Sequence, residues 1–159
     1  MSYKVRLIQE EQHRLKFYST IYCNDISDMR AIPVMLDTGC YNSLIPLSRA
    51  KISGIPIDMK RQIVIGASVV ETEAYVIGTL ETGGLDMKNV FMLAADFKGE
   101  LADTVLMGLN VLNNWKYTIH RKDSIIEFEE SYPDIIPNKM NPYRNYFDKD
   151  GKYVLMQEV

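Results

Sequence analysis

The chain has 159 residues, 47% of them hydrophobic, with a formal charge of −3 and acidic and basic residues interleaved along it. That is enough apolar material for one globular, soluble domain with a short appendage, and it offers no basic patch of the kind that nucleic-acid backbones select. No run approaches the roughly 18 to 20 apolar residues that cross a bilayer, no basic amphipathic helix suggests membrane binding, and Met1 to Leu7 lacks the pattern of a secretory signal. The cysteines Cys23 and Cys40 and the histidines His13 and His120 show no metal-ligand spacing. No metal or other cofactor is expected, and a reducing, cytoplasmic setting fits the cysteine usage best.

Short segments rich in β-branched and aromatic residues follow one another, separated by turn-forming clusters: Tyr3 to Ile8, Leu15 to Cys23, Ala31 to Leu36, Gln62 to Ile65, Val69 to Ile77, Val90 to Ala95, Lys116 to His120 and Ile125 to Glu129. The second of these alternates Leu15, Phe17, Ser19 and Ile21 with Lys16, Tyr18, Thr20 and Tyr22, as a strand covered on one face does. Asn24, Asp25 and Asp28 then supply turn chemistry. Helix is expected only at Leu47 to Ile52, ended by Gly54 and Pro56, and at Leu109 to Asn114 after Gly108. Trp115 and Tyr117 alternate with Lys116 and Thr118 and read as a core-facing aromatic pair. The fold class is mainly β, a closed or folded-over sheet with one or two short helices. Composition shifts near Ser131, so residues 1–130 form the domain and 131–159 a C-terminal tail, a hairpin packed on the domain's side with its turn at Asp148 to Gly151.

The most informative segment runs from Pro33 to Pro46, where the apolar residues Val34, Met35 and Leu36 lead directly into Asp37, Thr38 and Gly39. A carboxylate at the end of a buried strand is costly unless donors or a partner compensate it. One explanation is a turn, since all three residues are ordinary turn formers. The other is chemical: two carboxylates within hydrogen-bonding distance cannot both ionise, share one proton and hold a water between them as nucleophile. Gly39 then permits close backbone approach, and the Thr38 hydroxyl can bond across the junction.

Asp37-Thr38-Gly39 on an apolar strand, followed by Ser43 to Pro46, resembles the active-site loop of the retropepsin-like aspartic proteases. The apolar pair and glycine Leu106-Met107-Gly108, opening a short helix about seventy residues downstream, is similar to that family's supporting loop. The runs Gln62 to Ile65 and Val69 to Ile77 stand where the family has its flap. The resemblance spans roughly residues 15 to 130 and implies a retropepsin-like acid-protease half-barrel. It implies that Asp37 is the catalytic carboxylate, that Thr38, Gly39 and Cys40 complete the loop, and that Gly66, Ala67 and Ser68 form the flap tip. Cys40 stands where alanine or serine is usual, and Leu109 where retroviral members often carry an arginine. The Cys40 thiol is either a small buried filler or a group that tunes the site or blocks it once oxidised.

The chain holds one Asp-Thr-Gly and no Asp-Ser-Gly, so the resemblance implies a homodimer that brings two Asp37 side chains together and cleaves polypeptides. The alternative is a weakly active or inactive dimerisation or peptide-binding module of the same fold. The tail could also cover the groove as an inhibitory segment or serve as a docking surface. Gly66 to Val70 begins like a serine nucleophile elbow but lacks its closing glycine and following helix. His120 reads as a partly exposed strand residue, and Asp96 and Asp103 as solvated loop residues.

Overall fold

A computed structural model describes residues 2–8, 14–23, 26–130, 143–147 and 153–157. The described elements in chain order are β1 (Ser2–Arg6), β2 (Lys16–Cys23), β3 (Ile26–Leu36), β4 (Ser43–Pro46), α1 (Leu47–Ser53), β5 (Gly54–Ile65), β6 (Ser68–Thr82), β7 (Leu85–Ala95), β8 (Val105–Met107), α2 (Leu109–Leu112), β9 (Trp115–His120), β10 (Ile125–Glu130), β11 (Tyr143–Phe147) and β12 (Tyr153–Gln157). Short 3-10 turns occupy Gly99–Asp103 and Arg121–Asp123. The expected mainly β architecture with two short helices is what forms.

Seven strands make one sheet in the order β2-β3-β8-β4-β7-β6-β5, and β2 also pairs with β6 through Thr20↔Glu81, Ile21↔Leu80 and Tyr22↔Thr79. That extra pairing folds the sheet onto itself as a partial barrel. Its centre is apolar on both faces. Val34, Leu36, Ile45, Met92, Val105 and Met107 pack into the larger core cluster, while the alternating Met35, Leu44, Phe91, Leu93 and Leu106 pack into a second one. Period-two geometry puts successive side chains on opposite faces, so a sheet covered on both sides needs the continuous apolar runs seen here.

A second sheet, β1-β10-β9, is antiparallel throughout and buries one face only. Val5, Ile126, Phe128 and Trp115 point inward. Phe128 meets Phe17 of β2 edge to face at 6.0 Å and Trp115 at 6.2 Å, and Tyr117 lies 6.4 Å away. The Phe17–Phe128 contact joins the two sheets and the other two tie β9 to β10, each pair contributing about 0.5–1.5 kcal/mol beyond burial. The core-facing reading of Trp115 and Tyr117 therefore holds.

Several strands are longer than the sequence pattern indicated. β5 begins at Gly54 and runs through Pro56, although both residues read as breakers; β3 begins at Ile26, which puts Asp28 in a strand rather than a turn. The turn residues Asn24 and Asp25 lie outside the described residues. β11 and β12 pair antiparallel from Tyr143↔Gln157 to Phe147↔Tyr153 and run beside β7. The expected turn at Asp148 to Gly151 lies outside the described residues, as does His13. Among the described residues, no helix is long and apolar enough to cross a membrane.

Candidate active site

β3 ends at Leu36 with Met35 on the second cluster's face, and continued alternation brings Asp37 to that same side. Parallel pairing of β3 with β8 (Val34↔Val105, Met35↔Leu106, Leu36↔Met107) and the Leu44↔Leu106 bridge of β4 to β8 hold the two ends of the Asp37 loop side by side. The Asp37 backbone N–H donates to the Met107 carbonyl at 3.0 Å, so the loop is anchored at its first residue. The Gly39 N–H donates to Asp37 Oδ1 at 2.9 Å, which orients the carboxylate and supplies a donor to its charged form. Thr38 and Gly39 are exposed in the single chain.

The downstream apolar pair and glycine lie directly beneath this loop. The Leu109 N–H donates to the Cys40 carbonyl at 2.9 Å and the Asn110 N–H to the Tyr41 carbonyl at 2.8 Å, so the first turn of α2 uses its unsatisfied donors to hold the loop. Gly108 lies so close that a Cβ there would sit 2.7 Å from the Cys40 carbonyl oxygen and 2.8 Å from those of Tyr41 and Asn42. Only glycine fits. Sequence reasoning found this glycine through the motif but missed the buried clasp beside it. Asn110 Oδ1 accepts from both the N–H (2.9 Å) and the hydroxyl (2.8 Å) of Ser43, while the Ser43 Oγ accepts from the Gly108 N–H at 3.0 Å. The Asn110 amide donates to the Phe91 carbonyl at 2.9 Å, which satisfies a side chain that is only 3% exposed.

Above Asp37 stands the β5–β6 hairpin. Gly66 and Ala67 form its two-residue turn between Ile65↔Ser68, with Gly66 at φ 59°, the positive value that a primed hairpin turn requires at its first central position. Ser68 is the first residue of β6. Ile63, Ile65 and Val70 of the hairpin pack against the second cluster, whereas Val64 and Val69, paired across the strands, are 74% and 66% exposed. A strand–turn–strand here is incompatible with the serine-elbow reading, which needs a helix.

Between hairpin and loop lies a groove of about 460 Å³, lined by Asp37, Gly39 and Cys40 on the floor, Ile63 to Gly66 from the hairpin, and Glu100, Leu101 and Leu106 opposite. Thus Asp37, Gly39, Cys40, Gly66 and Leu106 converge on one cavity. Met107 and Gly108 support it from behind, and Thr38, Ala67 and Ser68 are exposed around it. The Cys40 thiol donates to the Asn42 carbonyl at 3.0 Å, and burial, followed by the neighbouring Asp37 charge, pushes its pKa above the ordinary thiol range. That holds it protonated and poorly nucleophilic at neutral pH. Asn42 also lines the groove, and its Oδ1 has no hydrogen-bond partner among the described residues. Among the described residues, no group of three or more His, Cys, Asp or Glu is placed to hold a metal.

Comparison with known proteins agrees with this architecture. The family model described as aspartyl protease matches residues 22–111, a stretch that includes the Asp37 loop, the hairpin and the Gly108 support. A solved structure of a retropepsin-like aspartic protease from Rickettsia conorii superposes with a TM-score of 0.52 at 14% identity, over 80% of this chain and 89% of that one. No curated protein matches the sequence. With its single Asp-Thr-Gly set between β3 and β4 and braced by Gly108, the chain belongs to the aspartyl protease family and has the retropepsin-like fold.

Proposed function

We propose that the chain is one half of a homodimeric endopeptidase, in which two Asp37 carboxylates across a twofold axis share a proton and hold the attacking water. The observation that carries this reading is the position of Asp37: a carboxylate oriented by the Gly39 N–H, on the floor of a largely apolar groove, beside loop residues Thr38 and Gly39 that are exposed in the single chain. One such carboxylate is half of an acid–base pair. With its copy in hydrogen-bonding contact, one member takes the water's proton while the other donates to the peptide carbonyl, and the pair titrates as a unit. Thr38 is the residue whose hydroxyl meets the opposite loop. Gly66, Ala67 and Ser68 form the tip of a lid that closes over an extended peptide and excludes water. Main-chain hydrogen bonds hold that peptide and the apolar walls receive its side chains. The catalytic unit ends near residue 130, and the β11–β12 hairpin is accessory to it.

The test is cleavage of unfolded polypeptides by the purified full chain across a range of pH, beside Asp37→Asn. We expect fragments from the wild type and a loss of at least about a thousandfold in the variant, because its homodimer carries a carboxamide in place of each carboxylate and so has neither the shared proton nor the base. Equal fragment yields from the two chains contradict the assignment. Peptide binding without fragments from either chain points instead to a binding module.

A further inference from the structure

The groove wall facing the hairpin is carried by the 3-10 turn Gly99–Asp103, and nothing local explains why it stays in place. The turn has no side-chain cap and none of its residues is buried. Its two groove residues are Glu100 and Leu101. Leu101 packs against the second cluster, which also contains Leu44, Leu106 and Met35. Glu100 is held from behind by β2 and the residues leading into it. Lys16 Nζ donates to Glu100 Oε1 at 2.5 Å, and Arg14 Nη1 pairs with Oε2. Lys16 is only 6% exposed, although the residues alternating with it on its own face, Tyr18 and Thr20, are exposed and half-buried. It pairs across the sheet with Met35, so its stem runs along the groove-side cluster towards the turn. A buried ammonium costs free energy unless a carboxylate compensates it, and Glu100, 84 residues away in sequence, supplies one.

We propose that the Lys16–Glu100–Arg14 cluster is the brace that seats Leu101 in the groove wall, making Glu100 a positioning residue for substrate selection. The side chain it admits is bulky and uncharged. Both oxygens of Glu100 are already engaged by cations, so a basic substrate residue finds no unspent carboxylate there. Met35, Leu44, Leu101 and Leu106 meanwhile offer an apolar seat. This deepens the peptide-groove reading and rests on it.

The test separates binding from turnover by using the full chain carrying Asp37→Asn and fluorescein-labelled decapeptides that differ only in a central Phe, Lys or Glu. The Phe peptide binds tightest. Adding Glu100→Gln removes the Glu100 charge from beside the buried ammonium, loosens the turn and weakens the Phe peptide by on the order of tenfold, as misplacing a positioning wall does. Replacing the pair by apolar groups, Lys16→Met with Glu100→Leu, restores affinity to within about twofold, because a well-packed apolar pair substitutes for a buried ion pair. In the wild-type background the single change raises KM and leaves kcat within about threefold. The proposal is overturned if Glu100→Gln binds the Phe peptide as tightly as its parent, or if the double replacement stays as weak as the single one. A lack of cleavage by the wild type fails the protease reading alone, since affinity is measured here without turnover.

Discussion

Gly108 shows how much of this site rests on a missing side chain. Three carbonyl oxygens of the Asp37 loop lie within 2.8 Å of the position that a Cβ would take, and all three already accept hydrogen bonds, from the Leu109 N–H, the Asn110 N–H and the Cys40 thiol, so none can yield cheaply. Gly108→Ala should cost about 1–3 kcal/mol of stability, the usual range for overpacking a tight interior. Its effect on cleavage should be larger than its effect on folding, because the strain falls on the loop that aims Asp37. Thermal denaturation beside peptide cleavage measures both; a variant with wild-type Tm and wild-type activity contradicts this role. The glycine was legible because the motif places it after two apolar residues. The Ser43–Asn110 clasp and the Lys16–Glu100 brace were not, since their partners are 67 and 84 residues apart and a polar residue does not announce a buried partner at such distance. Lys16 even falls on the polar half of an alternating strand, so pattern alone gives it to solvent.

At the scale of elements, alternation revealed the strands whose two faces differ and undercounted the rest. β5 reads as broken by Gly54 and Pro56, yet among the described residues it is an edge strand paired only with β6, with a register shift between Ile57 and Lys60, and proline is tolerated at an edge. The terminal sheet β1-β10-β9 has the opposite character, one apolar face and one charged. On the charged face Glu127 stands between Lys4 and Thr118 in register. Its carboxylate is held below the ordinary range first by a hydrogen bond from the Ser2 hydroxyl and then by His120 Nε2 at 3.1 Å, with Lys4 adding attraction. A depressed carboxylate stabilises the fold fully above its unfolded pKa, about 4.3, and that contribution is lost as pH falls through the lower folded value. Melting temperature should therefore drop in the wild type as pH falls below about 4.3 and through the lower folded value. Glu127→Gln should melt lower at pH 6 and show a shallower acid slope. Parallel slopes for the two chains would show that this sheet does not sense acid.

For the whole molecule, the decisive feature is that both faces of the central strands are apolar while the Asp37 loop at their ends is left partly exposed. The family and fold were legible because the double-sided apolar strands surround an Asp-Thr-Gly and a distant apolar–apolar–Gly. The proposed pairing of two chains rests in the sequence only on arithmetic, one motif where the proposed chemistry needs two. Such a composite site makes a prediction that no single-chain site shares. If wild-type and Asp37→Asn chains are co-refolded in equal amounts, subunits assort at random across an isologous interface, and about a quarter of the dimers carry two Asp37 carboxylates. Activity per wild-type chain should then fall to about half, and should fall further as the excess of variant grows. Dilution of the wild type should lower specific activity in step with the loss of dimer seen by sedimentation. Activity per wild-type chain that ignores the added variant places the complete catalytic apparatus within one chain, and the shared-carboxylate mechanism then fails while the fold and its groove stand.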